Sequence, residues 1–312
     1  MLNKILCIIR YRLLPMKSKF FILSILLLFF IDSRIVHAES LEKIINSADS
    51  KIINPYDTSQ TIQTKCSGWS KKNWYVSLAN DDVQINNFGE TRDYYLKVEE
   101  LLFEVPIDAG IESPNQSKTV FPVQDGYLIS FYAGEWGGSL WWFSKNGENK
   151  KAVIPYKPSY QAISFVNEFM PTNDGLYALV GLAHLSLDSG GIVKLENIKE
   201  EGWRISKFID LSSSASAYFR MDDNNFLILT NKKVVHFSLS GESKTLYEPL
   251  DDMFGVSGNS IVQDKIGNIY IGDRYKVSKL KPVVSGYTEE WIIPEYCEWS
   301  VDLNAVCHCQ SE

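Results

Sequence analysis

Asp125, Asp174, Asp223 and Asp264 stand at or beside short turns and recur at intervals of 49, 49 and 41 residues. Carboxylates repeated so evenly could converge on a ligand or work as acid and base. The same residues have a plainer use, because Asp beside Gly or Asn favours the tight reversal of a β-hairpin. Two of the four precede glycine directly, in Asp125-Gly126 and Asp174-Gly175. Hairpin chemistry accounts for the set without a shared ligand.

A second acidic series falls in the breaks after the strongest apolar segments. These breaks are Asn80-Asp81-Asp82, Gly134-Glu135-Trp136-Gly137-Gly138, Asp188-Ser189-Gly190-Gly191, Asn231-Lys232-Lys233 and Gly272-Asp273-Arg274. If the segments are copies of one unit, the breaks emerge on a single face. Asp81, Asp82, Glu135, Asp188 and Asp273 make that face acidic, with Arg274 beside them. Trp136 adds an aromatic anchor of the kind that dominates interface energetics. The expectation is a binding face for a protein partner of basic character.

Other chemistry is thinly represented. His184 and His236 sit in apolar segments of different units, which suits packed or rim residues. No nucleophile elbow or H-E-x-x-H phrase occurs, and no helix follows the paired glycines as a nucleotide loop requires. Gly190-Gly191 and Gly267 read instead as hairpin turns. Trp136, Trp141 and Trp142 could stack on a sugar. Trp141 and Trp142 are adjacent, so on a strand they face opposite ways and at least one belongs to the core. No metal site or cofactor is expected, since the neighbours Cys307, His308 and Cys309 lack a C-x-x-C pair to complete a tetrahedron.

The elements that would position these residues are strands. Turns ending at Asn73, Gly126, Gly175, Asn225 and Gly267 each precede a strong β-segment: WYVSL, YLISF, LYALV, FLILT and NIYIG. The turns lie 53, 49, 50 and 42 residues apart. Each strong segment is followed by two further strand signals, and four of the five turns have one upstream: KTVFPV, AISFV, SAYFRM and NSIVQ. Four strands recurring at such a period describe the blades of a β-propeller. Consecutive apolar residues, as in LWWF, fit sheets buried on both faces.

The stretch Ile261-Val262-Gln263-Asp264-Lys265-Ile266-Gly267-Asn268-Ile269-Tyr270-Ile271-Gly272 resembles the repeat of bacterial regulator-type and NHL-type propellers. The likeness runs through residues 261–280 and rests on an Asp, a Gly-Asn turn and an aromatic strand ending in Gly. It implies the fold and leaves the activity open. The expected fold class is all-β, a propeller of five four-stranded blades, or six if the C-terminal tail adds strands around Trp299.

The N-terminus reads as an export signal. Lys17 and Lys19 precede the apolar run Phe20–Ile31, and Val36-His37-Ala38 supplies a small-residue cleavage site. Residues 1–38 are the expected signal peptide, with Met16 as an alternative start and an uncleaved anchor as the competing reading. Residues 39–65 read as a polar leader in which Leu41, Ile44, Ile45, Ala48 and Ile52 fall at helical spacing. Residues 66–312 carry the propeller and a cysteine-containing tail.

Six of the 31 basic and one of the 38 acidic residues lie in the first 38, leaving 25 against 37 and a net charge of −12. That balance disfavours nucleic acid, whose affinity depends on neutralising phosphates. Cys66, Cys297, Cys307 and Cys309 remain, an even count that suits disulfides in an exported chain. Cys307–Cys309 would be strained, so Cys66 is expected to pair with one tail cysteine and Cys297 with another. The expected function is a periplasmic or secreted, monomeric, non-catalytic binding protein, off the membrane once the signal is cleaved. One version is an immunity or inhibitor protein that masks a basic partner. The alternative is a propeller hydrolase or lyase acting on a sugar or lactone.

Overall fold

The structure, a computed structural model, describes residues 50–53, 73–88, 101–105, 117–132, 138–156, 166–184, 187–249, 258–273, 276–294, 297–298 and 308–309. All fall within one compact unit, Asp49–Glu312. The expected signal (1–38) and most of the expected helix lie outside the described residues. Ile52, the last position of that helix, is in a strand instead: β1, Ser50–Ile53.

Among the described residues every regular element is a strand. Sheet 1 is the hairpin β2 (Asn73–Ala79) and β3 (Asp82–Phe88). Sheet 2 orders β4 (Ser117–Val123), β5 (Gly126–Tyr132), β6 (Gly138–Ser144) and β7 (Lys150–Ala152). Sheet 3 orders β8 (Val166–Thr172), β9 (Gly175–His184), β10 (Leu187–Ile198) and β11 (Gly202–Asp210). Sheet 4 orders β12 (Ala215–Arg220), β13 (Asn225–Thr230), β14 (Val234–Ser238) and β15 (Ser243–Tyr247). Sheet 5 orders β16 (Ser260–Gln263), β17 (Ile269–Gly272), β18 (Val277–Val283) and β19 (Gly286–Pro294), with β1 added antiparallel beside β19. A short ribbon, β20 (Cys297–Glu298) and β21 (His308–Cys309), follows.

Strand periodicity explains how these sheets stack. In β9, Leu176, Ala178 and Val180 pack toward sheet 2, while Tyr177 and Leu179 pack toward sheet 4. In β13, Phe226 and Ile228 face sheet 3, and Leu227 and Leu229 face sheet 5. Alternate side chains thus enter different cores, and the sequence needs apolar residues at every position. Each such side chain contributes about 1.5–3 kcal/mol by leaving water. On its other face sheet 2 buries Val120, Ile129, Phe131 and Phe143 against Leu101, Phe103 and Val105. Antiparallel four-stranded sheets stacked face to face in chain order define a β-propeller type of fold.

Three details differ from the sequence reading. The strand before Asp174 is Val166–Thr172, not the AISFV segment. Pro171 reads as a break, yet it lies in an innermost strand, whose free edge leaves a missing N–H without consequence. Pro122 occupies the matching place in β4, likewise three residues before its turn aspartate.

The second difference concerns Trp74–Leu78, which align in sequence with second strands. In the structure β2 lies against β16 and β17 as β12 lies against β8 and β9, so it is an innermost strand. Its Trp74 N–H donates to the Asp273 carbonyl at 2.9 Å, and its Val76 N–H to Ser260 Oγ at 3.0 Å. Third, Gly190 and Gly191 lie inside β10 rather than in a turn. A Cβ on Gly181 would sit 2.6 Å from the Ser214 Cα, so the glycines here permit two sheets to approach backbone to backbone.

Candidate functional site

The recurring aspartates hold turns. Asp264 is buried; its Oδ1 accepts the Ile266 and Asn268 N–H groups, and its Oδ2 accepts Asn268 Nδ2 at 2.8 Å. Gly267 completes that turn at φ +89°. Asp174 Oδ2 accepts from Lys194 Nζ at 2.8 Å and from the Tyr177 hydroxyl at 2.7 Å, which holds its carboxyl below the usual range. In sheet 4 the working residue is Asp222 rather than Asp223. Its Oδ1 accepts the Asn224 and Asn225 N–H groups, and its carboxyl is lowered accordingly. Asp125 reaches across to sheet 3, accepting Asn197 Nδ2 at 3.2 Å.

The acids in the breaks do not assemble on one face. The strand β2 starts beside Asp273, whose carbonyl accepts the Trp74 N–H, and ends at Asn80-Asp81, a two-residue hairpin turn with φ of 52° and 67°. There Asp81 Oδ2 lies 3.1 Å from the Nζ of Lys265, a residue of the β16–β17 turn. Asp273 is at the other end of β17. Asp81 and Asp82 therefore sit at one end of the sheets, and Asp188 and Asp273 at the opposite end.

Asp188 and Asp273 also have structural surroundings. The Asp188 side chain is only 7% exposed and accepts from Ser213 Oγ (2.9 Å), the Ser214 N–H (2.7 Å) and Asn231 Nδ2 (3.3 Å), with Lys232 Nζ at 3.7 Å. It ties sheet 3 to sheet 4. Asp273 is buried where sheet 5 meets sheet 1. Glu135, Trp136 and Arg274 lie outside the described residues, as do Cys66 and Cys307. In the tail ribbon Cys297 stands opposite Cys309 in register, and Glu298 opposite His308.

What the innermost strands do bring together is Tyr75 of β2, Glu168 of β8 and Tyr218 of β12. Burial raises the Tyr75 phenol, and the Glu168 charge raises it further. Burial and then the same carboxylate push Tyr218 up to about 12, with Arg220 acting the other way. Sheet 1 packs on sheet 5, whereas sheet 3 packs between sheets 2 and 4, so the Tyr75–Glu168 interaction spans sheets that are not neighbours. Both phenols stay protonated at neutral pH. Glu168 is a half-buried carboxylate whose charge reaches both tyrosines, and a negative charge so placed suits a cationic group.

Sequence reasoning missed Glu168. A charged residue within a segment that must be an innermost strand was the available signal, and the misplaced AISFV strand concealed it. Among the described residues no three of His, Cys, Asp or Glu come together as a metal-binding group.

No family model matches the chain, and no curated protein matches it. Among solved structures, the extracellular domain of BT4673 from B. thetaiotaomicron is similar over 55% of this chain and 21% of its own, at 11% identity and a TM-score of 0.34. A streptogramin B lyase is similar over 77% of this chain and 72% of its own, at 11% identity and a TM-score of 0.33. A GH43 glycoside hydrolase engineered for endo-xylanase and exo-arabinofuranosidase activity is similar over 72% and 53%, at 13% identity and a TM-score of 0.30. The fold assignment rests on the sheets themselves and not on these likenesses.

Proposed function

We propose that the chain is an exported five-bladed propeller that binds a protein partner of basic character without catalysing a reaction on it. The observation that carries this reading is the placement of Tyr75, Glu168 and Tyr218 on three innermost strands, within range for the Glu168 charge to act on both phenols. A lysine or arginine side chain presented by the partner enters there, pairing with the carboxylate and lying against the phenol rings. The net charge of −12 beyond residue 38 supports attraction of a basic partner over distance.

The packing order supports five blades. Sheets 2, 3, 4 and 5 stack in chain order, sheet 1 packs on sheet 5, and Leu101, Phe103 and Val105, just beyond sheet 1 in the chain, cover sheet 2. Each blade buries both faces in that arrangement. The described tail residues pair with each other in a two-stranded ribbon, which supports five blades over six. Export by the 1–38 signal fits the same reading.

The test is affinity capture from the exported-protein fraction with the mature chain and its Glu168→Gln variant. The expected result is a partner of high isoelectric point that the wild type retains and the variant loses. Equal recovery of the same partner on both overturns the assignment of Glu168. A recovered partner without basic character overturns the class.

A further inference from the structure

Sheets 2 and 3 meet tightly along their inner strands but open toward the outside. Their inner strands are tied where the Val166 N–H donates to Ser130 Oγ at 3.0 Å. Their outer strands are tied by backbone bonds of Ile154, whose N–H donates to the Trp203 carbonyl at 3.0 Å and whose carbonyl accepts the Ile205 N–H at 2.9 Å. Beside that bridge lies a cleft of about 210 Å³. Sheet 2 contributes Asp125, Trp142 and Lys151 to its walls, and sheet 3 contributes Asn197, Glu200 and Trp203.

The register shows why these residues meet. Trp142 is the cross-strand partner of Lys151, and Asn197 that of Trp203, so each wall carries an indole beside a polar group. Asn197 Nδ2 and Asp125 Oδ2 join across the cleft. The β10–β11 turn forms one lip. Glu200 there holds φ +74°, a region that non-glycine residues seldom enter, and Gly202 follows at φ +90°. The Lys151 side chain passes over Gly202, its Cδ 3.1 Å from where a Cβ would stand.

Two features bear on what belongs in the cleft. The indoles of Trp142 and Trp203 stand on facing walls. Their N–H groups have no hydrogen-bond partner, a state they share with Trp74 and Trp141 elsewhere in the fold, so it is the two ring surfaces that are particular to the cleft. The polar lining combines two carboxylates, one ammonium and one amide. Its two carboxylates repel anions, and it offers both acceptors, on Asp125 and Glu200, and donors, on Lys151 and Asn197. A neutral group that both donates and accepts hydrogen bonds, and that carries apolar C–H faces for the indoles, satisfies all of them. That is the chemistry of a pyranose ring. We infer that this cleft between the outer strands of sheets 2 and 3 is a binding site for a single neutral sugar ring, separate from the Glu168 site.

The experiment titrates the mature protein with the methyl glycosides of glucose, galactose, mannose and N-acetylglucosamine. Binding is followed by tryptophan fluorescence and by calorimetry. At least one should bind saturably with a Kd in the millimolar range, about the affinity that one ring and a few hydrogen bonds give. Glu200→Ala and Lys151→Ala should each weaken it by about tenfold while leaving Tm unchanged, since neither supports the core. Glu168→Gln should leave sugar binding unaltered, which separates this site from the one for the basic partner. The inference fails if none of the four glycosides saturates by about 100 mM. It fails equally if Glu200→Ala and Lys151→Ala bind as the wild type does.

Discussion

The outer junction between sheets 4 and 5 and the outer junction between sheets 2 and 3 are built from similar parts and finished differently. At the first, the buried carboxylate of Glu289 accepts from the Trp291 indole at 2.7 Å and from the Tyr247 hydroxyl, and Lys276 Nζ lies 3.9 Å away. Lys276 also sits 3.6 Å above the Trp291 ring. Each of these four side chains has a complement inside the protein. At the second, the indoles of Trp142 and Trp203 have none, and a cleft stands open beside them. The difference separates a junction that holds the fold from one left unfinished for a ligand.

Breaking the closed junction should have the largest effect. Glu289→Ala removes a buried acceptor of two hydrogen bonds, from the Tyr247 hydroxyl and the Trp291 indole, and about 2–4 kcal/mol of stability should disappear. Urea unfolding checks this. A loss below about 1 kcal/mol would mean that the junction is not the structural one. Ser130→Ala sharpens the comparison at the inner seam of sheets 2 and 3. Only one buried hydrogen bond to the Val166 N–H is lost, so about 1 kcal/mol is expected in the same assay.

A smaller effect is expected at the exposed turn of sheet 4, where the carboxyl of Asp222 is depressed by the Asn224 and Asn225 donors. A lowered folded pKa contributes stability above the unfolded value of about 3.9 and loses it as pH falls through the folded value. The Tm difference between wild type and Asp222→Asn should therefore be present at about pH 6 and should close as pH falls below about 4. A difference that is constant with pH would remove the electrostatic explanation.

Much of the fold was legible in the residues. The turns at Gly126, Gly175, Asn225 and Gly267 located the strands of sheets 2 to 5, apart from the first strand of sheet 3. Runs apolar at every position announced sheets buried on both faces. What failed was topology at the seams. An innermost strand and a second strand are both apolar, so nothing in Trp74–Leu78 reveals that β2 lies beside β16. The acids failed for a related reason. Spacing assigns Asp81 and Asp188 to equivalent breaks, but only the position of β2 shows that they occupy opposite ends. Burial then decides their roles, since Asp188 meets three donors that come from distant parts of the chain. Glu168 was visible as a charge, but its neighbours Tyr75 and Tyr218 lie 93 and 50 residues away and meet it only in the folded state.

The central claim, that Glu168 receives a cationic side chain, is tested most directly with a hexa-arginine peptide titrated into the mature protein and into Glu168→Gln. The account predicts salt-sensitive binding to the wild type and a loss of about tenfold in affinity in the variant, equivalent to about 1.4 kcal/mol. Equal affinity for the two proteins at low and at physiological salt would contradict it.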